Sequence, residues 1–351
     1  MYNDLYKHDI NDAVQFLIEK IDDASMPRNV LITGATGLIG RFLIDTIFHI
    51  AHKRSLNINI GILTRSRSRA EKVFSEHLMD DRFHLFEGDL SVDRLESCVC
   101  MEKIDLIIHL ASHTHPLQYS QEPIATIICN INGTNNVLSL AKRYGAQVIF
   151  TSSVEIYGQN RGDVDLFNED YLGILDCNSL RAGYPESKRC AEALCQAYIA
   201  QHNLDVRIVR LPRVYGPTMQ VDDSKAHAQF LKKGLIKEDI VLKSDGNQLY
   251  SYLYVADVAT AILYLYKFGV SGEVYNVADD RSNIRLKDLA KIIASLCGVG
   301  VTFELPSEVE KKGYSKATKA LLDSKKINQI GWKAKYSIFE GLQHTLNIMS
   351  T

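Results

Sequence analysis

Tyr184 and Lys188 stand four residues apart, the spacing that puts two side chains on one face of a helix. A phenol and an ammonium so placed can move a proton, because the cation stabilises phenolate and draws the tyrosine pKa toward neutrality. Upstream, Thr151-Ser152-Ser153 closes an apolar run, and Ser153 can hydrogen-bond the substrate oxygen that a phenolate deprotonates. Glu155, two positions on, is expected to face the same place. Earlier still, Gly34-Ala35-Thr36-Gly37-Leu38-Ile39-Gly40 directly follows the apolar run Asn29–Thr33. Gly34 suits a tight bend, Gly37 leaves room for a pyrophosphate, and Gly40 lets a helix pack close on a strand. That helix's N-terminus offers N–H groups and partial positive charge to phosphates. Alone, a glycine triplet can be a structural turn, and Tyr-x-x-x-Lys is a common surface spacing. Their order along one chain, in strand–turn–helix context, points to a nicotinamide dinucleotide and to hydride transfer at a carbon bearing a hydroxyl or ketone.

The surrounding periodicity must build a frame for these groups. Short apolar runs predict strands at 29–33, 58–63, 83–87, 104–110, 148–152 and 206–211, each buried on both faces. Helical spacing falls between them at 38–52, 67–79, 121–144 and 185–202, with Tyr144-Gly145 as a stop signal and Pro185 in a first turn. Strand and helix in alternation predict an α/β fold, a Rossmann-type doubly wound parallel sheet with a smaller C-terminal substrate lobe. Residues 28–212 are the expected dinucleotide-binding domain and 213–351 the expected lobe, with helices at 255–268 and 286–296. Residues 1–27 form a helical extension, with apolar positions at Ile10, Val14, Phe16, Leu17 and Ile21.

Composition narrows the setting. A formal net charge of −2 gives no bias toward nucleic acid or an acidic membrane surface, so any anion must be recognised locally. Seven scattered cysteines do not form the pattern of a disulfide framework. The polar start lacks a signal-peptide run, and no stretch has the apolar length of a membrane span, so the expected location is the cytoplasm. His109, His113 and His115 cluster in sequence, but no carboxylate or cysteine completes a metal site at usable spacing; no metal is expected. His113 or His115 is instead a candidate neighbour of the substrate.

Cofactor choice rests on the ends of two strands. Asp89-Leu90 follows the third, where an aspartate can accept from an adenine amine. The second ends in Leu63-Thr64-Arg65, with no carboxylate until Glu71 to hold a ribose 2′-hydroxyl. Arg65, Arg67 or Arg69 could meet a 2′-phosphate bidentately, which favours NADP over NAD.

Together these residues resemble the extended branch of the short-chain dehydrogenase/reductase family, of the NAD-dependent epimerase/dehydratase type, whose members modify nucleotide sugars. The resemblance runs from about residue 28 to 345. It includes Asn130-Ile131-Asn132-Gly133-Thr134-Asn135, Arg210-Leu211-Pro212-Arg213-Val214-Tyr215-Gly216-Pro217, Asp245-Gly246, Tyr254-Val255-Ala256-Asp257 and Tyr275-Asn276-Val277. The segment from Leu110-Ala111-Ser112 through Pro116 and Tyr119 to Pro123 is similar to UDP-glucuronate decarboxylases, as are Asn168-Glu169-Asp170-Tyr171 and Arg181-Ala182-Gly183-Tyr184. The resemblance implies that Leu110, Ala111 and Ser112, with Thr36, Leu38 and Ile39, border the cofactor. It also implies that the lobe holds a nucleoside diphosphate, and that two helices per subunit join a homodimer.

Three positions depart from the family. Dehydratases carry an Asp-Glu pair where this chain has Val154-Glu155, and simple 4-epimerases usually have a small or hydroxyl residue at the Glu155 position. An arginine usually follows the Asp-Gly turn, where Tyr250 stands. An asparagine usually precedes Val-Tyr-Gly-Pro, where Arg213 stands; both are carried as substrate-contact candidates. The residues rank C4 oxidation and reduction first, ending in epimerisation or ketoreduction, with decarboxylation second and 4,6-dehydration third. A non-catalytic nucleotide sensor on the same fold would be marked by a broken Ser-Tyr-Lys set, and the set is intact.

Overall fold

The computed structural model describes residues 3–92, 94–113, 121–220, 222–304 and 318–350. The first six strands are β1 Asn29–Thr33, β2 Asn59–Thr64, β3 Phe83–Glu87, β4 Leu106–His109, β5 Gln147–Ser153 and β6 Val206–Leu211. The rest are β7 Arg213–Tyr215, β8 Ile240–Leu242, β9 Leu249–Tyr254, β10 Val274–Asn276, β11 Asn283–Arg285, β12 Val301–Phe303 and β13 Lys319–Ala320. Seven of them make one parallel sheet in the order β10-β6-β5-β4-β1-β2-β3. Helices Leu38–Lys53, Pro123–Tyr144, Gly183–His202 and Val255–Phe268 cover its two faces with buried aliphatic side chains. Strand order reverses between β1 and β4, and the crevice outside the carboxyl ends of such strands is where open α/β sheets hold ligands.

Several local expectations shift. The helix expected over 67–79 runs only from Arg67 to Val73, because Phe74 leaves helical geometry and the chain turns to stack His77 on Phe48, with ring centroids 4.3 Å apart. β5 runs through Ser153. The seventh strand of the main sheet, β10, comes from beyond residue 212 and pairs with β6, so the C-terminal part of the chain is woven into the first body. Helices Ala226–Leu235 and Ile338–Met349 were not anticipated. The lobe is completed by β9 with β7, β11 and β13, and by the pair β8 and β12.

The N-terminal helix, Asp4–Lys20, is part of the core. It buries Tyr6, Ile10, Ala13, Val14 and Leu17 against helices Leu38–Lys53 and Val255–Phe268. Asp9 on it is fully buried and accepts hydrogen bonds from the Tyr254 hydroxyl, from the Tyr336 hydroxyl at 3.2 Å and from His344 Nδ1 at 2.8 Å. One carboxylate thus ties the first helix to β9 and to the last helix. Removing it leaves the buried Tyr254 hydroxyl without this acceptor and takes one contact each from Tyr336, which keeps Asp12, and from the half-buried His344, so Asp9→Ala is expected to lose about 2 kcal/mol in urea unfolding; a loss below about 0.5 kcal/mol would show that the network carries no stability.

Candidate active site

The loop after β1 is shaped by backbone approach. Gly34 has φ +70°, and a Cβ there would lie 2.6 Å from the Ala111 nitrogen at the end of β4. A Cβ on Gly40 would lie 2.6 Å from the Ala35 backbone. Gly37 caps helix Leu38–Lys53 without a side-chain hydrogen bond, so the first N–H groups of that helix face the crevice available to an anion. The lobe reaches over this loop: Thr218 Oγ1 donates to the Leu38 carbonyl at 2.7 Å, and Gln220 Nε2 to the Thr36 carbonyl at 3.2 Å. Beneath it, His109 bridges Thr33 at 2.7 Å and Thr134 at 3.2 Å. Burial, and then the Lys188 charge, push its pKa down to about 3, so it stays neutral.

A pocket of about 530 Å³ opens at one end of the crevice, lined by Arg65, Asp89, Ser91, His113, Ile128 and Cys129 among others. Burial would raise the Asp89 carboxyl, but hydrogen bonds from the Ser91 hydroxyl at 2.6 Å and nitrogen at 2.8 Å, with the Arg65 charge, hold it below its ordinary range. Arg65 Nη1 lies 3.4 Å from His113 Nε2. The glycine cradle, the uncapped helix start and this pocket fit a dinucleotide: phosphates over residues 34–40, and an adenosine beside Asp89 and Arg65. His113, expected toward the sugar, stands with Arg65 and Asp89 at this pocket instead. His115, Pro116 and Tyr119 lie outside the described residues.

At the other end, β5 delivers Ser153 and helix Gly183–His202 delivers Tyr184. The phenol is 6% exposed and hydrogen-bonded with Ser153 and with Ser112. Ser112 Oγ donates to Asn130 at 2.7 Å, Asn130 Nδ2 to Ser187 at 2.9 Å, and Ser187 Oγ to the Tyr184 carbonyl at 2.9 Å. Lys188 is equally buried, and its Nζ donates to the Thr151 carbonyl at 2.9 Å, above the Phe150 ring. One expectation needs correcting here. Burial, and then the Glu155 charge, push the Tyr184 pKa up, and Lys188 does not counter it. The ammonium is committed to Thr151, and burial pushes its own pKa down to about 8.

Glu155 lies in the 3-10 turn Val154–Tyr157 after β5 and forms an ion pair with Arg181, its carboxylate oxygens 3.1 and 3.4 Å from Nη2. The two remaining departures meet: Arg213 Cζ sits 3.4 Å from the centroid of the Tyr250 ring. Sequence reasoning carried no role for Arg181, Asn130 or Thr151. Asn130 had a usable signal, since it lies four residues from both Thr126 and Thr134 on the buried stripe of its helix.

The chain is similar to known proteins in sequence and in fold. A family model described as the NAD dependent epimerase/dehydratase family matches residues 30–278. The chain is 29% identical over 313 residues to UDP-glucuronic acid decarboxylase 6 of Arabidopsis thaliana, covering 89% of this chain and 86% of that one. In fold it is similar to UDP-glucose 4-epimerase from Thermotoga maritima, with TM-score 0.77, 22% identity and coverage of 91% and 98% of the two chains. It is also similar to dTDP-glucose 4,6-dehydratase from Streptomyces venezuelae, solved with NAD, with TM-score 0.76, 23% identity and coverage of 91% and 96%.

The Lys188 shift has a readable consequence. Its folded-state pKa, about 8, lies below the ordinary 10.5, so the unfolded chain binds the extra proton between these values. Lys188 therefore destabilises the fold below pH 8, and this cost fades as pH rises to 10.5. Lys188→Met should gain stability relative to wild type near pH 7, and the difference should shrink through that window in urea titrations. A difference independent of pH would place the charge elsewhere.

Proposed function

Because the chain belongs to the NAD dependent epimerase/dehydratase family, we propose that this enzyme modifies a nucleotide-linked sugar by oxidation and reduction at C4, ending in epimerisation or 4-ketoreduction. The observation that carries the proposal is the Tyr184 phenol, buried in the crevice between Ser153 and Ser112, at the end of the sheet where Gly34–Gly40 face a ligand. Bound NAD(P) supplies the hydride acceptor and donor at C4 and, when oxidised, a positive charge that pulls on the Tyr184 proton. Once its own proton has left to solvent, Tyr184 Oη as phenolate takes the C4 hydroxyl proton as the hydride departs, and it returns that proton to the C4 oxygen when hydride comes back. Ser153 orients that oxygen. Lys188 holds the helix against β5 and keeps a proton of nearly neutral pKa beneath the site. The glycine loop, with Thr36, Leu38 and Ile39, and the β4 end with Leu110 and Ala111 hold the dinucleotide. Asp89 and Leu90 border its adenosine.

Glu155 argues for this order of outcomes. Paired with Arg181, its carboxylate is engaged as an acceptor rather than turned to a departing hydroxyl, and Val154 has no acidic group at all. That disfavours 4,6-dehydration. Decarboxylation of a nucleotide-linked uronate needs no such acid and is the second reading, supported by the activity named for the plant relative. Within the same proposal, NADP is preferred to NAD. Arg67 is tied to Glu71 at 3.0 Å, which leaves Arg65, at the pocket, to meet a 2′-phosphate. The seven cysteines are all unpaired, which suits the cytoplasm. A homodimer joined by two helices of each subunit is part of the same proposal, and sedimentation as a monomer would remove that element.

NMR of products from hexose, hexuronate and 4-keto-hexose conjugates of the common nucleotides tests the chemistry. An epimer or a reduced 4-ketosugar is expected. A 4-keto-6-deoxy sugar would establish dehydration, and a pentose from a hexuronate would establish decarboxylation. Tyr184→Phe should keep its cofactor dissociation constant and lose about 10²–10⁴ in turnover; near-normal turnover would refute the role. Fluorescence titration with both cofactors should give tighter binding of NADP, and a clear preference for NAD would mean that Arg65 is merely solvated.

A further inference from the structure

Arg213 is a cation without a counterion. It makes no hydrogen bond or ion pair among the described residues, and its Nη1 is buried with no partner. Its one strong contact is the stack on Tyr250, which is itself 6% exposed. The charged and polar groups around it are accounted for. Asp223 is engaged by Lys225, through Nζ at 3.3 Å and the backbone nitrogen at 2.9 Å. Burial pushes the pKa of His227 down to about 4, so it carries no charge at neutral pH. Ser224 Oγ, beside Asp223 in sequence, is a second buried polar atom with no partner.

The place is informative. β7 follows β6 directly, and Leu211 at the end of β6 lies opposite Ser153. Arg213 is two residues further on, opposite Tyr252 of β9. It therefore stands at the carboxyl edge of the sheet, next to the strand end that carries Ser153. Stacking caps one face of the guanidinium and fixes its plane. The N–H donors lie in that plane, so its edge remains able to grip two oxygens of one anion. The guanidinium is half-buried, with Nη1 fully withdrawn from solvent, and this partial desolvation costs free energy that a bound oxyanion would recover.

We infer that Arg213, held flat on Tyr250, is the anion anchor of the substrate site. It takes an oxyanion of the nucleotide-linked sugar, either the diphosphate or a carboxylate on the sugar. The inference rests on the reading that the site binds a nucleotide sugar. Arg213 is a binding and specificity residue here, while Tyr250 positions it.

Calorimetric titration of the wild type and variants separates the possibilities. The probes are UDP, dTDP, CDP and GDP, their nucleosides, and the glucose and glucuronate conjugates of the base that binds. Arg213→Gln should weaken the preferred diphosphate by about 10- to 100-fold while leaving NAD(P) binding unchanged, if the anion is the diphosphate. If the anion is a sugar carboxylate, diphosphate binding stays and the preference for glucuronate over glucose falls by the same factor. Tyr250→Phe should keep wild-type affinity, and Tyr250→Leu should lose part of it. Unchanged diphosphate affinity and unchanged sugar preference in Arg213→Gln would overturn the inference alone. A wild type that binds none of the nucleotides or their sugar conjugates would overturn the nucleotide-sugar reading and this inference with it.

Discussion

The bond from Lys188 to the Thr151 carbonyl sets the geometry on which the site depends. A fully desolvated amine is costly, and it is tolerated here because a carbonyl at the end of β5 and the face of Phe150 receive it. That contact fixes helix Gly183–His202 in height and rotation against the sheet. Tyr184, one turn earlier, is then brought beside Ser153, which lies two residues beyond Thr151 on the same strand. The chain of bonds through Ser187, Asn130 and Ser112 extends the constraint to helix Pro123–Tyr144 and to the end of β4. Three elements that approach the crevice from different sides are locked around one phenol.

A second network ties that core to the lobe. Arg210 on β6 binds Glu192 bidentately, at 3.0 and 2.7 Å, and reaches the Tyr157 hydroxyl at 2.7 Å and the Glu169 carbonyl at 2.9 Å. Tyr157 donates onward to Asn276 of β10. Buried ion pairs of this kind add little net stability over apolar packing, and their value lies in permitting one arrangement. Here that arrangement aligns the tyrosine helix, the turn carrying Glu155 and the strand that returns from the lobe.

The crevice is electrostatically divided. At one end Arg65, His113 and Asp89 surround a pocket suited to adenosine and its ribose. At the other, Glu155 is neutralised by Arg181, while Arg213 keeps its charge on an aromatic platform. Between them the glycine loop contributes only backbone. A long ligand with anionic groups in its middle matches this distribution, and the overall charge of the chain, near zero, leaves the task to these few residues.

The parts legible in the sequence are those governed by local rules. Residues 34–40 announce themselves because bend, phosphate approach and helix packing each demand glycine within one turn of chain. Tyr184 and Lys188 are legible because a helix places i and i+4 together whatever surrounds it. Six strands of the main sheet follow from apolar runs, since a strand buried on both faces must be continuously apolar. What tertiary structure alone decided involves distant partners. Arg213 and Tyr250 meet through the pairing of β7 with β9. Glu155 is neutralised by a residue 26 positions away. Asp9 is satisfied by groups near the far end of the chain, and β10 joins the sheet across a whole lobe. The upward pKa of Tyr184 belongs to the same class. Spacing shows which charges can approach a phenol, but burial sets the cost of ionising it, and burial exists only when the whole chain has closed around the group.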